Sequence, residues 1–383
     1  MKKLLIPCLC AALLLSALAG CGEAGTQATL EPLPGVSASA APESPAAEYD
    51  WDALRETYGD DTVVLTVNGD EVRWDEFFYW FHTDYDRYFS GRSLDESIDG
   101  ETTVGEYLAM NAASYCVQYH VLAQLEEEKG IELTAEDEEI IAEAQRSDIE
   151  EQIGEDGTLE DLYEYLDTIY ITPELYDFMT RTMTLYPRMF IVLYGEEGAK
   201  LSDEETLETA ERYGFMTVKH ILFGTVDENG ESLSEGEKEA QKTLAQDSLN
   251  ELLAVPEAER EALFDEMMER YSTDPGLEAY PEGYCFAPGT MVTEFESAAS
   301  ALSPGGISSV VESANGYHIL LRKSLTPEDS VLLSGLTEPV TLRYAAAEIL
   351  LNELYTGAVA DAEVAYTEDF AEGSGWLERL SAS

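Results

Sequence analysis

Val218-Lys219-His220-Ile221-Leu222 and Gly316-Tyr317-His318-Ile319-Leu320 are two apolar runs built the same way around a histidine, far apart in a chain of 383 residues. The chain has only four histidines, so half of its imidazoles sit in these matching runs. The aliphatic and β-branched residues around each ring have the character of strands. If the strands pair, the two rings can meet in one site.

The residues between and beside the two runs extend this reading. Phe215 to Phe223 reads as a strand and Asp227-Glu228-Asn229-Gly230 as an exposed turn. Ser234 to about Tyr271 reads as helical, with a break near Pro256. A Gly- and Pro-rich loop then runs to Pro288, and a short helix follows with Phe295, Ala298, Ala299 and Leu302 on its inner side. Strands at Ile307 to Glu312 and His318 to Arg322 close the segment around Ser313-Ala314-Asn315-Gly316. This β-α-α-β-β order describes a compact antiparallel α+β module.

Residues 213–325 also carry a familiar set of motifs: His220-Ile221-Leu222, Tyr271-Ser272-x-Asp274, Gly289-x-Met291-Val292-x-x-Phe295-Glu296, Leu302-x-x-Gly305, Ile307-Ser308 and Gly316-Tyr317-His318-Ile319. In order and spacing they resemble the parvulin-type peptidyl-prolyl cis/trans isomerases. The resemblance implies a site made of His220 and His318, the acid Asp274, and a proline pocket of Met291 and Phe295 joined by Phe286. Asn315 stands where the family often has Ser or Thr. The chain departs from the family at Pro281-Glu282-Gly283-Tyr284-Cys285-Phe286, which replaces a common Gly-Gly-Asp-Leu-Gly loop and brings Tyr284 near the site.

Such residues suit the reaction that the resemblance implies. Rotation about a peptide bond crosses about 18–20 kcal/mol because it breaks amide resonance, and it needs no covalent step and no cofactor. A dry pocket can grip the prolyl ring while polar groups bind the twisted amide better than the planar one. The family reading gives the histidines an orienting role, tuning Asp274 beside the rotating carbonyl, rather than direct proton transfer.

Ahead of this module the chain reads as mainly helical over residues 49–212. Val63 to Val67, Asn68-Gly69 and Glu71 to Arg73 form a hairpin signal. A helix follows in which Phe77, Phe78, Phe81, Tyr85, Tyr88 and Phe89 recur at spacings of three and four. Aromatic stripes of this kind normally fill a core, although they could also form a cradle for unfolded chains. Further helices are expected from Val104 to Lys129, from Ala135 behind Thr134, from Pro173 behind Thr172, and behind the Ser202/Glu205 capping box. Cys116 and His120 share the spacing of two metal ligands on a helix, but no second pair lies nearby, so no metal site is expected. Beyond Leu325, residues 326–383 supply a helix from Val340 to about Tyr355 and a strand at Ala362 to Tyr366.

The N-terminus indicates where the protein works. Met1-Lys2-Lys3, an apolar run from Leu4 to Ala19, and Leu18-Ala19-Gly20-Cys21 have the layout of a secretory signal over residues 1–20, ending in a sequence that resembles a bacterial lipobox. Cys21 is then the lipidation site, and residues 21–48 are a Pro-, Ala- and Ser-rich flexible linker. With 78 acidic against 21 basic residues, the net charge of -57 repels phosphate backbones and argues against nucleic-acid partners. Cys116 and Cys285 remain as two distant cysteines whose pairing the sequence leaves open.

The expected protein is thus α+β: a mainly helical chaperone domain, made of the N-terminal part plus the C-terminal helix, with an inserted parvulin-like antiparallel α+β domain. In layout it resembles foldases of the PrsA and SurA types. The expected function is isomerisation of Xaa-Pro bonds in unfolded exported proteins at the extracytoplasmic face of a bacterial membrane, held there by the lipid anchor. A holdase without turnover and a solute-binding lipoprotein are the alternatives, the latter requiring two similar α/β lobes.

Overall fold

A computed structural model of the protein describes residues 48–227, 231–331 and 339–381. The signal-like segment, Cys21 and the linker up to residue 47 lie outside the described residues, as do residues 228–230 of the expected turn. The described residues form two compact units, one of residues 48–192 with 353–381 and one of residues 193–352.

The first unit opens with α1 (Trp51–Glu56), capped by the Asp50 side chain. The hairpin is β1 (Val63–Val67) and β2 (Asp70–Arg73), with Asn68 and Gly69 at φ 53° and 98° as a two-residue turn of this kind requires. The aromatic helix is α2 (Trp74–Asp84), continued by a π-helical turn over Tyr85–Phe89. Trp74, Phe77, Phe78 and Phe81 are fully buried, so these rings are core and offer no cradle to a client. Tyr88 alone of the stripe is exposed. Then come α3 (Val104–Glu128), α4 (Ala135–Gln152) and α5 (Leu159–Asp167), each opened by a capping box, at Thr103/Glu106, Thr134/Asp137 and Thr158/Asp161. The next helix, α6 (Pro173–Tyr194), starts at its proline, and the Thr172 hydroxyl accepts from the Leu175 amide. His120 and Cys116 do not act as a pair: His120 Nε2 lies 3.0 Å from Glu76 Oε2, and Cys116 is a buried free thiol.

The second unit is built on a six-stranded sheet. After α7 (Asp203–Arg212), opened by the Ser202/Glu205 capping box, β3 (Met216–Gly224) lies at its centre, buried along its whole length. Both faces are covered, which explains why apolar residues occur on both of them, Val218 and Leu222 on one and Ile221 and Phe223 on the other. The helices α8 (Glu235–Ala254) and α9 (Glu257–Tyr271), separated at Pro256, cover one face. There Leu249, Leu252, Phe264 and Met267 pack on Ile221, Phe223, Ile319 and Leu321. A short helix, α10 (Thr293–Ser300), covers part of the other, where Phe295 and Ala299 meet Met216, Val218, Phe286 and Leu320. Strands β5 (Val311–Ser313) and β6 (Gly316–Lys323) close the module, with β6 antiparallel to β3 along eight residue pairs from Thr217↔Lys323 to Gly224↔Gly316.

Three features differ from the sequence reading. The expected loop up to Pro288 contains a strand, β4 (Tyr284–Phe286), which pairs with β3 as Val218↔Tyr284. Its three residues are too few to carry a strand period. The strand expected at Ile307 to Glu312 is reduced to β5 and an isolated bridge at Ile307↔Leu321, because Gly305 and Gly306 bond to Arg322 and bend the segment. The unit is also wider than residues 213–325: β7 (Ser330–Val331), β8 (Val340–Thr341) and the start of α11 (Leu342–Ala360) bury Val331, Leu342 and Ile349 against Phe215 and Cys285. The sheet order is β5-β6-β3-β4-β7-β8; the strands within residues 213–325 pair antiparallel as expected, and the one parallel contact, β4–β7, is made by the added strand β7. Cys285, like Cys116, is a buried free thiol.

The tail returns to the first unit. The strand β9 (Val364–Tyr366) pairs antiparallel with β1, giving the order β2-β1-β9. Phe370 and Trp376, the latter opening α12 (Trp376–Ser381), pack on Trp74 with ring centroids 5.5 Å and 6.3 Å away. Among the described residues the two units share no repeated pattern of βα elements, whereas a solute-binding reading requires a pair of similar lobes.

Phe264→Ala should lower the stability of the second unit by about 3–5 kcal/mol, because it empties a fully buried aromatic site between helices and sheet. Urea unfolding measures this; a loss below about 1 kcal/mol would contradict the tight packing described.

Candidate active site

In the β3–β6 register His220 lies opposite Leu320 and His318 opposite Leu222. The two histidines are therefore diagonal neighbours on one face of the sheet, within reach of each other's rings. The rings lie nearly parallel, at 16° with centroids 5.4 Å apart, and their Nδ1 atoms are 3.1 Å apart. His220 Nε2 is 3.0 Å from Asp274 Oδ2, and His318 Nε2 is 2.7 Å from Ser313 Oγ.

With both rings neutral, one assignment of protons satisfies every contact. The Asp274 carboxylate can only accept, so His220 donates from Nε2 and accepts at Nδ1. His318 then donates from Nδ1 and accepts at Nε2 from the Ser313 hydroxyl. Ser313 Oγ in turn accepts from the Asn315 amide at 3.1 Å. In this assignment donation runs in one direction, from the β5–β6 turn to Asp274.

Local sequence holds each member in position. Ser272 and Thr273 tie the end of α9 to β3: the Leu222 amide donates to Ser272 Oγ at 3.1 Å, and the Thr273 amide donates to the Leu222 carbonyl at 2.8 Å. That fastening delivers Asp274 to His220 and gives the Ser272-x-Asp274 spacing its purpose. On the opposite wall the Glu296 carboxylate accepts from the Gly289 and Met291 amides at 3.0 Å and 2.7 Å, which fixes the loop carrying Met291.

These groups open on a cleft of about 1000 Å³ lined by His220, Asp274, Tyr284, Met291, Val292, Phe295, Asn315 and His318 among others. Phe295 meets both imidazoles edge-on, with centroids 5.3 Å from His220 and 5.7 Å from His318. The cleft thus has an apolar floor beside an ionisable wall. Asp274 accepts from Tyr284 as well as His220, and the Tyr284 hydroxyl is 2.7 Å from Oδ2.

The structure brings His220, His318, Asp274, Met291 and Phe295 together, and it revises two of the expected site residues. Asn315 lines the cleft, but the hydroxyl on His318 comes from Ser313, and Asn315 joins the relay through its backbone amide. The physical reason is the turn: Ser313 pairs with Gly316, so the hairpin folds its side chain back onto His318. Counting register back from Gly316 would have found it. Phe286 is buried behind Phe295, with centroids 5.9 Å apart, and supports the floor without lining it.

Burial shapes the charges here. It pushes the proton affinity of His318 down to about 4, helped by its neighbour His220 and opposed by Asp274. Burial alone would raise the Asp274 carboxyl, but hydrogen bonds from His220 and Tyr284 outweigh it and hold the group below its ordinary value. Among the described residues no group of His, Cys, Asp and Glu has the arrangement of a metal site.

Comparison with known proteins agrees with this geometry. Residues 220–324 match the rotamase family, described as the PPIC-type PPIASE domain. The foldase protein PrsA of Halalkalibacterium halodurans is 29% identical over 241 residues, which cover 61% of this chain and 65% of that protein. The chain therefore matches a little less than two thirds of the relative's length. Among solved structures, the peptidylprolyl isomerase PrsA of Bacillus cereus is 16% identical, covering 84% of this chain and 90% of that one at a TM-score of 0.25. The peptidyl-prolyl isomerase ESS1 of Candida albicans is 21% identical, covering 36% and 74% at a TM-score of 0.24.

The neutral relay fixes an expected titration. Between the ordinary value of 6.5 and about 4, the unfolded chain takes up a proton that folded His318 refuses, so this residue's contribution to stability falls as pH falls through that window. Asp274 has the same sign at lower pH: its contribution is present above the unfolded value and is lost as pH falls through the depressed folded one. NMR of the histidine rings should find His318 neutral at about pH 5, and an imidazolium midpoint near 6.5 would contradict the assignment.

Proposed function

Since residues 220–324 carry a rotamase domain of the PPIC type, we propose that this protein is a membrane-tethered extracytoplasmic foldase that turns Xaa-Pro bonds in exported polypeptides and holds those chains while they fold. The observation that carries the catalytic part is the relay from Ser313 through His318 and His220 to Asp274, opening beside the apolar floor of Met291 and Phe295.

The chemistry follows from the charges. In a planar amide, resonance gives the carbonyl oxygen part of a negative charge, and twisting returns that charge to nitrogen. A fixed carboxylate beside the carbonyl disfavours the planar form more than the twisted one, while the floor grips the prolyl ring. The histidines keep Asp274 oriented and ionised and transfer no proton in this cycle. Catalysis needs neither a cofactor nor a covalent intermediate.

Tethering rests on the lipobox-like Leu18-Ala19-Gly20-Cys21 after an apolar run, with Cys21 as the acylated residue. No helix among the described residues is long and apolar enough to cross a membrane. Holding of clients is assigned to the helical unit of residues 48–192 with the tail. The name of the PrsA relative supports the foldase part of this reading. A holdase that binds extended peptide without turnover is the second reading, favoured by one observation, the replaced loop at residues 281–286.

A proline isomerisation assay that uses no protease decides between them. Asp274→Ala and His318→Ala should each lower kcat/KM by at least about tenfold, a loss of about 1.4 kcal/mol in transition-state binding, and both should still suppress aggregation of an unfolded client. Wild-type turnover no faster than these variants would leave the holdase. Within the site, Ser313→Ala should lower kcat/KM several-fold, whereas Asn315→Ala, which keeps its amide, should change it by less than about twofold. The opposite ranking would return the role to Asn315.

A further inference from the structure

The replaced loop is anchored more firmly than a neutral substitution requires. Glu282 Oε2 lies 3.2 Å from Lys219 Nζ, and Lys219, 3% exposed, also meets Asp265 at 2.9 Å. Gly283 follows at φ 98°, and a Cβ there would stand 2.7 Å from the Val218 carbonyl, so only glycine lets the loop approach β3 this closely. The next residue is Tyr284, held in register by Val218 and supported by Tyr280 with ring centroids 4.8 Å apart.

The anchoring delivers one hydroxyl. Tyr284 donates to Asp274 Oδ2 at 2.7 Å, on the oxygen that also accepts from His220 at 3.0 Å, while Oδ1 accepts from the Gly276 amide at 3.3 Å. Space is kept for it as well: a Cβ on Gly276 would stand 1.9 Å from the Tyr284 hydroxyl. Lys219 and Gly283 thus hold the loop that carries Tyr284, and Gly276 leaves room for its hydroxyl.

We propose that Tyr284 is a positioning residue for the isomerase reaction: its hydroxyl fixes the orientation and the charge of Asp274, so the loop that departs from the family pattern completes the site. This inference rests on the reading of Asp274 as the group beside the rotating amide. The groups facing Asp274 are His220 from β3, Tyr284 from β4, His318 from β6 and the Gly276 amide from its own loop; none of them is acidic. Burial and the Asp274 charge push the Tyr284 phenol above its ordinary value, so it remains a donor throughout the working range. Loss of a donor to a carboxylate raises the pH at which the carboxylate is protonated.

The test compares the intact protein with Tyr284→Phe, which keeps the ring and removes the hydroxyl. The acid limb of kcat against pH should move up by about one unit, with KM within about twofold and the difference in kcat narrowing toward about pH 8. Gly276→Ala, whose methyl group would displace the hydroxyl, should shift the limb in the same direction. A purely structural role would lower activity equally at every pH. NMR titration of the Asp274 carboxyl carbon gives a readout that does not depend on turnover, and its midpoint should rise in both variants. Profiles and midpoints that superimpose on those of the wild type would overturn the inference. Absence of turnover in the wild type, or full turnover in Asp274→Asn, would instead overturn the proposed function and leave the carboxyl titration to judge Tyr284.

Discussion

The contact between two Nδ1 atoms, 3.1 Å apart across the β3–β6 ladder, is the constraint on which the site depends. Two imidazole nitrogens can share one proton only if one ring donates and the other accepts. With both rings neutral that choice propagates both ways: His220 donates to Asp274 and His318 accepts from Ser313. Both rings are nearly buried, His318 at 3% and His220 at 8% exposure, so water cannot substitute for a missing partner. A slip of one residue between β3 and β6 would send one ring to the helix-covered face and break the chain of donors.

The rest of the second unit serves that register. Ile221, Phe223, Ile319 and Leu321 alternate with the site residues along the same strands and are held under α8 and α9, which makes any slip costly in buried apolar surface. Lys219 shares their face, yet its ammonium is neutralised by Asp265 and Glu282, and the same contacts tie the 281–286 loop to the sheet. A buried cation left unpaired would be strongly destabilising, so the loop and the sheet are coupled through it. In a chain of net charge -57 such pairing is easily supplied, since acidic residues outnumber basic ones 78 to 21.

The first unit follows a different logic. Its aromatic residues lie in a core that the tail completes, with Phe370 and Trp376 against Trp74, rather than on a surface for clients. Its helix starts behind Thr134 and Thr172 were legible because a cap is a local device: the threonine hydroxyl accepts from a backbone amide within a single turn. The same holds for the Asn68-Gly69 hairpin, where two positive φ angles demand those residue types. The tail's partner was not legible, because nothing local to Val364–Tyr366 says which strand edge it will join.

The sequence by itself determined the strands that carry His220 and His318 and the helices between them, which follow from periodicity and from short-range signals, while its resemblance to the parvulins pointed to Asp274, Met291 and Phe295 as the companions of the two rings. Only the tertiary structure decided that Ser313 rather than Asn315 meets His318, that Phe286 lies behind Phe295, and that Tyr284 enters on a strand to reach Asp274. Those outcomes depend on diagonal offsets and close approaches between segments distant in the chain. Sequence order fixes which segments exist, whereas sheet register fixes which atoms lie within 3 Å, and a hydrogen bond responds only to the latter.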